Sequence, residues 1–245
     1  MVLPLFHLDG CAAAKPGQTL LLAGSEGKHA VTVRRLRVGE SIQVSDGRGS
    51  RVIGEVTAIE GSSLQLAVSE AVLEPSPEPS LVLVQALAKG DRDELAIQAA
   101  TELGAMAIVP WQAERSVSRW DGPKIAKGVE RWQTIVAEAS KQALRAFVPE
   151  VAQPLTTVQL AKATSSYSSV LVLDPTAEQS LGAVNLPDAG AVAIVVGPEG
   201  GISPNELLQL EAAGAVRVRL GAEILRTSTA GVAAIAVLQS HLSRW

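Results

Sequence analysis

The chain has 245 residues, 47% hydrophobic and 19% charged, with a formal net charge of −4, a composition that excludes wholesale disorder, a collagen-like rod and a coiled coil. Its length admits one large domain or two modest ones, and its longest apolar runs, around Ala191–Val196 and Ala230–Leu238, fall far short of the roughly 20 residues of a membrane span. One cysteine, Cys11, and three scattered histidines, His7, His29 and His241, offer neither an internal disulfide nor metal-ligand spacing. Asp9 interrupts the N-terminus before a signal-peptide core could form, so the expectation is a soluble, cytoplasmic protein with no metal and no membrane partner.

In chain order, the first third reads as short β-like runs, Gln18–Ala23, Glu40–Ser45, Arg51–Ile59 and Ser63–Val68, separated by turn signals such as Asp46-Gly-Arg-Gly49 and Glu60-Gly-Ser-Ser63. That spacing predicts a small β-barrel over residues 1–73. Between its strands, Glu26–Leu36 has His29, Val33 and Leu36 at helical spacing and leaves Arg34 and Arg37 together on another face. From Gly27 to Gly39 the chain carries Lys28, Arg34, Arg35 and Arg37 and no acidic residue. A phosphate-contacting surface and a solvated helix face are both compatible with that cluster.

Three prolines in Glu74-Pro-Ser-Pro-Glu-Pro-Ser80 predict an extended linker and a domain boundary. Beyond it, over 81–245, apolar runs alternate with helical patterns, the signature of parallel α/β layers. The predicted strands are Leu81–Leu87, Met106–Pro110, Ser169–Leu173, Val192–Val196 and Val216–Leu220. The predicted helices are Asp91–Leu103, Gly122–Leu144, Pro204–Ala213 and Thr227–Leu242.

The strand at Val192–Val196 runs into Gly197-Pro-Glu-Gly-Gly201, and Ser203-Pro-Asn-Glu206 then supplies an N-cap serine, an N1 proline and an N3 glutamate. Ligands of open α/β sheets sit beyond the carboxyl ends of strands, so this loop is the first candidate site. It lacks the Gly-Lys-Ser/Thr of a P-loop, and the only Gly-x-Gly, Gly47-Arg-Gly49, lies in the barrel, which removes support from nucleotide triphosphatases and Rossmann dehydrogenases. Gly197 and the Gly200-Gly201 pair instead suit close backbone approach to an uncharged or cationic ligand; an ordinary strand-to-helix turn is the plainer reading. One unit later, Leu220-Gly-Ala-Glu-Ile-Leu-Arg-Thr-Ser-Thr-Ala230 repeats the design, with hydroxyl residues suited to capping the last helix. Leu173-Asp-Pro175 ends the strand before.

Together these strand ends resemble the cofactor pocket of SPOUT-superfamily RNA methyltransferases. More closely, the whole chain resembles the bacterial 16S ribosomal-RNA uridine-N3 methyltransferases of that superfamily, through His29–Gly39, Asp46-Gly-Arg-Gly49, Lys89-Gly-Asp-Arg92, Thr101-Glu-Leu-Gly104, Glu114-Arg-Ser-Val117, Glu130-Arg-Trp132, Gly197–Gly201 and Leu220-Gly…Ile224-Leu-Arg-Thr227. The resemblance implies an α/β SPOUT domain with a C-terminal trefoil knot, preceded by a small PUA-like β-barrel that binds RNA. It also implies S-adenosylmethionine as cofactor, 16S rRNA of the small ribosomal subunit as substrate, and a homodimer. Ser228 stands where that family usually has a glutamate.

Uridine N3 is a weakly acidic imide whose anion is the nucleophile, so Arg226, beside the second glycine loop, is the expected catalytic side chain; an arginine bridging a dimer interface is the other reading. Leu173, Gly197, Glu199, Gly200, Gly201, Leu220, Gly221 and Leu225 are the expected cofactor contacts. Glu199 either faces the cationic methionine end or caps the following turn. RNA contacts fall to Arg34, Arg35, Arg37, Lys89, Arg92 and Arg115. With two Phe, four Trp and one Tyr in the chain, base stacking cannot be widespread, so phosphate and shape contacts should dominate. The helix Thr227–Leu242, apolar through Val232, Ile235, Ala236, Leu238 and Leu242, serves either the dimer interface or the interior of its own domain. Alternatives from other classes are a ribose 2′-hydroxyl methyltransferase of the same superfamily and a catalytically silent RNA-binding assembly factor.

Overall fold

A computed structural model describes residues 2–245 of the chain. They form two compact units, one built on the chain up to Ser76 together with Ser140–Val148, the other on Pro77–Ala139 and Pro149–Trp245. The first unit holds β1 (Leu5–His7), β2 (Thr19–Leu22), α1 (Gly24–Lys28), β3 (Ser41–Ser45), β4 (Ser50–Glu60) and β5 (Ser63–Leu73). Its sheet order is β1-β3-β4-β5-β2, antiparallel except for the β1–β3 pair. Alternating residues of β3, β4 and β5 turn inward, so Ile42, Val44, Val52, Val56, Leu64 and Leu66 share a core with Phe6 and Leu22.

The β3–β4 turn is held by Asp46, whose Oδ1 accepts the N–H groups of Arg48 (2.8 Å) and Ser50 (3.1 Å). The predicted helix Glu26–Leu36 is shorter and wider than its periodicity suggests. α1 ends at Lys28, a π-helical turn follows over His29–Val33, and Arg35 takes φ +55°. Arg34, Arg35 and Arg37 therefore sit on the exposed segment after the helix rather than on its face.

Ser140–Val148 joins this unit through contacts that no local pattern signals. The buried Lys141 ammonium pairs with Glu26 (2.8 Å). Arg51 donates to the Leu144 carbonyl (2.8 Å), Ser45 Oγ to the Ala146 carbonyl (3.0 Å), and the Val148 N–H to the Gly47 carbonyl (2.9 Å). The predicted helix Gly122–Leu144 stops at Gln142, and Leu144 turns the chain with φ +55°.

The second unit holds β6 (Ser80–Ala86), α2 (Arg92–Glu102), β7 (Ala107–Gln112), α3 (Pro123–Gln142, whose last turn belongs to the first unit), β8 (Glu150–Val151), β9 (Leu155–Thr156), α4 (Thr157–Ala163), β10 (Ser169–Leu173), β11 (Ala191–Val196), α5 (Pro204–Ala212), β12 (Val216–Val218) and α6 (Thr227–His241). The strands make one parallel sheet, β12-β10-β11-β6-β7-β8, with β9 also paired to β7. Val82, Val84, Val172 and Val195 pack on one face with Leu160 of α4 and Leu210 of α5. On the other face α6 lies so close that a Cβ at Gly231 would stand 2.7 Å from Leu83 Cδ1 and 3.1 Å from Val196 Cγ2. α5 begins with the predicted capping box of Ser203 and Glu206 and with Pro204 at its first turn.

Removing the Lys141 ammonium takes the close partner from the part-buried Glu26 side chain, so Lys141→Ala should cost about 1–3 kcal/mol. Urea denaturation followed by circular dichroism measures this, and a loss below about 1 kcal/mol would mean that the pair does not anchor Ser140–Val148.

Candidate functional site at the strand ends

Three adjacent parallel strands, β12, β10 and β11, end at the same edge of the sheet, and the segments that follow them enclose a cavity of about 680 Å³. Its walls are Leu173–Thr176 after β10, Val196–Glu199 with Gly201 and Ile202 after β11, and Leu220, Gly221 and Glu223–Thr227 after β12. Pro204, Leu207, Val218 and Ala230 complete the apolar lining, and Arg92 and Arg115 stand at it as well. The strand-end pattern thus brings Leu173, Gly197, Glu199, Gly201, Leu220, Gly221, Leu225 and Arg226 around one space. Gly200 is not among the lining residues: a Cβ there would stand 3.1 Å from Arg115 Cβ. Gly201 has φ +72°, a backbone state that L side chains resist, and a Cβ added to it would meet no atom within 4 Å.

Polar groups around the cavity are committed to holding its walls. Glu199 Oε1 accepts from the Lys89 N–H (3.1 Å) and from Arg92 Nη1 (2.9 Å). Partial burial alone would raise this carboxyl, but the hydrogen bonds from its own N–H, Lys89 and Arg92 outweigh burial and hold it below its usual range. Arg115 donates to the Gly200 carbonyl (3.0 Å). Arg92, Arg115 and the Lys89 backbone, read from sequence as RNA contacts, thus hold the glycine loop. Arg34, Arg35 and Arg37 lie in the other unit and make no side-chain ion pair among the described residues.

Three supports escaped the sequence reading. Asp174 Oδ1 accepts from the N–H and Oγ1 of Thr176 (both 2.9 Å) and Oδ2 from Arg217 Nε (2.8 Å). Burial opposes its charge, but these partners prevail and depress its pKa, so the carboxylate is a saturated part of the wall. Glu206, 3% exposed, does more than cap α5: Oε1 accepts from the Glu114 N–H (2.8 Å) and Thr157 Oγ1 (2.6 Å), and Oε2 from the Ser203 N–H (3.0 Å). Thr227, expected among the hydroxyls that cap α6, makes no cap. Arg226 is the N-cap residue, without a capping side chain, and Thr227 Oγ1 donates inward to the Gly197 carbonyl (2.9 Å). A buried hydroxyl facing another loop's carbonyl has no signature in local sequence.

Two family models cover most of the chain: an RNA methyltransferase PUA domain over residues 22–69 and an RNA methyltransferase domain over residues 74–239. The chain is 40% identical to the ribosomal RNA small subunit methyltransferase E of Mycobacterium bovis, over all of its own length and 94% of that protein. The chain belongs to the ribosomal RNA small subunit methyltransferase E family. The member from Bacillus subtilis is 33% identical over 92% of both chains. A crystal structure of the family member from Neisseria gonorrhoeae, bound to S-adenosyl methionine, superposes with a TM-score of 0.87 at 31% identity over 98% of both chains. A Legionella pneumophila chain solved in complex with the same cofactor gives 0.86 at 28% identity over 98% of both.

Within this family member the Glu206 hub ties α4, the end of β7 and α5 behind the cavity wall. Burial works against its charge, yet the bonds from Thr157, Glu114 and Ser203 win and its pKa is depressed. The stability it adds is therefore complete above the ordinary glutamate value near 4.5 and is lost as pH falls through the lower folded value. Glu206→Gln should lower stability at pH 7 by about 1–3 kcal/mol and narrow the gap to wild type as the pH drops below about 4. Denaturation curves at pH 7 and at about pH 3.5 check this; an equal gap at both pH values would contradict it.

Proposed function

We propose that the chain methylates N3 of a uridine in 16S rRNA with S-adenosylmethionine as methyl donor, as a cytoplasmic homodimer of SPOUT type. The observation that carries the reading is the convergence of both glycine loops and Arg226 on one cavity, in a chain whose structural neighbours were solved with that cofactor. The cavity fits the donor chemically: it is largely apolar, its glycines leave backbone amides approachable, and two of the three arginines at it are already engaged, Arg92 by Glu199 and Arg115 by the Gly200 carbonyl. Leu173, Gly197, Gly201, Leu220, Gly221 and Leu225 would hold the cofactor, with Gly200 packed behind them against Arg115. When bound, the cofactor supplies an electrophilic methyl group on a sulfonium.

The chain's own residues would then orient the base and stabilise charge. Arg226 is exposed at the cavity and unpaired among the described residues, so its guanidinium is free to face the carbonyl oxygens beside N3, where negative charge collects as the proton leaves. Glu199, held by Arg92 and the Lys89 N–H, adds a fixed negative charge to the wall that favours a cationic ligand. Of the two roles open to it from sequence, facing the cationic methionine end accords with this pairing, since its side-chain bonds run to Lys89 and Arg92 rather than to the following turn.

Arg34, Arg35 and Arg37, exposed and without side-chain ion pairs among the described residues, are suited to RNA phosphates. Arg92, Arg115 and Lys89, at or beside the cavity, would meet the RNA nearest the reacting base. For the knot, the support is a close passage: the Arg219 N–H donates to the Gln179 carbonyl and the Leu181 N–H to the Arg219 carbonyl, both at 2.9 Å. The segment leading to α6 thus runs alongside the one joining β10 to β11. For the dimer, the support is the outward strip of α6, where Val237 is 38% exposed and Val232 and Ala236 are half-buried. Ile235 and Leu238, counted with that strip in the sequence, are fully buried in their own unit.

Nucleoside analysis of small-subunit rRNA from a strain lacking the gene tests the reading. The account expects loss of N3-methyluridine, its return with the wild-type gene, and no return with Arg226→Ala, whose purified protein still binds S-adenosylmethionine. Unchanged rRNA in the deletion strain would overturn the function, and full activity of Arg226→Ala would overturn its role.

A further inference from the structure

We infer that Gln85 is a positioning residue that fixes the Gly197 loop and the Arg226-bearing end of α6 against each other; the inference rests on the cavity being the methyl-transfer site. Gln85 is fully buried in β6, a strand otherwise made of apolar residues after Ser80, opposite Val196 of β11 and Pro110 of β7. Strand alternation puts it on the same face as Leu83, against which Gly231 of α6 packs. Thr227 lies four residues before Gly231 and shares its side of the helix. The missing Cβ of Gly231 lets α6 descend far enough for Gln85 Nε2 to reach Thr227 Oγ1, at 2.9 Å.

The direction of this chain of bonds is set by its ends. Gln85 Nε2 also donates to the Ala86 carbonyl (3.2 Å), so the nitrogen, not the oxygen, must face that way. Thr227 Oγ1 accepts from Gln85 and spends its one proton on the Gly197 carbonyl (2.9 Å). Gln85 Oε1 accepts no hydrogen bond among the described residues. A buried amide with an orphaned oxygen is a poor choice for stability, since an apolar side chain of the same length would fill the place without it. What the amide supplies is a proton donor that orients the Thr227 hydroxyl. That hydroxyl joins the loop after β11 to the first residue after Arg226, so two of the three loops that wall the cavity share one pin. Gln85 is not itself among the residues that line the cavity and reaches it through Thr227, which is.

Gln85→Met and Gln85→Glu separate this from a structural role. Methionine keeps the volume and drops both the donor and the orphan; glutamate keeps the shape but accepts from Thr227, drawing its proton off the Gly197 carbonyl. Gln85→Met should keep Tm within about 3 °C of wild type, and both variants should leave KM for the small-subunit RNA substrate unchanged while kcat falls about 10- to 100-fold. Thr227→Val should fall as far, and Gln85→Met combined with Thr227→Val no further. In the cofactor-free protein, amide hydrogen exchange at residues 197–201 and 227–230 should quicken several-fold in Gln85→Met, with the rest of the sheet unchanged. Unchanged exchange there, wild-type kcat in Gln85→Met, or additive losses in the double variant would each overturn the inference. A wild-type protein that methylates nothing would instead overturn the reading of the cavity, with the exchange measurement still deciding whether the pin exists.

Discussion

Parallel strands deliver all their carboxyl ends to one edge of a sheet, and there the backbone leaves the ladder with its polar groups in need of partners. In this chain β12, β10 and β11 stop side by side, and three loops must satisfy themselves without filling the space between them. The cavity is the outcome of that constraint. Glycine at positions 197 and 201 lets the loop after β11 turn away at once, and Leu173, Val196, Val218 and Leu220 leave apolar side chains on its floor and walls. An apolar hollow rimmed by backbone groups suits a ligand bound through amides and shape rather than through opposing charge.

The polar residues that could have filled such a hollow are spent behind it. Asp174 is saturated by Thr176 and Arg217, Glu206 by Glu114, Thr157 and Ser203, and Glu199 by Arg92 and Lys89. Each fixes one loop to a neighbouring element, so the cavity is shaped before anything enters it. Arg226 stands apart from this pattern. It begins α6, is exposed at the cavity and has no anion to answer it among the described residues, which leaves its charge for a group that arrives from outside.

Legibility in the sequence tracked the range of the interactions involved. Apolar runs of β6, β10 and β11 and the Ser203–Glu206 capping box are written within a few residues and read directly. The strand ends and glycine loops follow from the same local signals. β1, β8 and β9, two or three residues each, are too short to show alternation. Ser140–Val148 looks like the end of a helix until Lys141 finds Glu26 and Arg51 finds Leu144, pairings more than ninety positions apart in sequence. The basic segment misled in a smaller way: Arg34 and Arg37 have helical spacing, but the helix widens into a π turn and ends before them. Gly200 reads as part of the same loop as its neighbours, yet only the fold decides that it faces Arg115.

The central claim, that the strand-end cavity is the cofactor site, is tested most directly by isothermal titration of S-adenosylmethionine into the wild-type protein and into Gly201→Val. Gly201 has φ +72° and lines the cavity, so a β-branched side chain there would both strain the loop and occupy the space. The account predicts one site per chain in the wild type and no measurable binding by a variant that keeps its circular dichroism spectrum. Normal binding by the folded variant would contradict it.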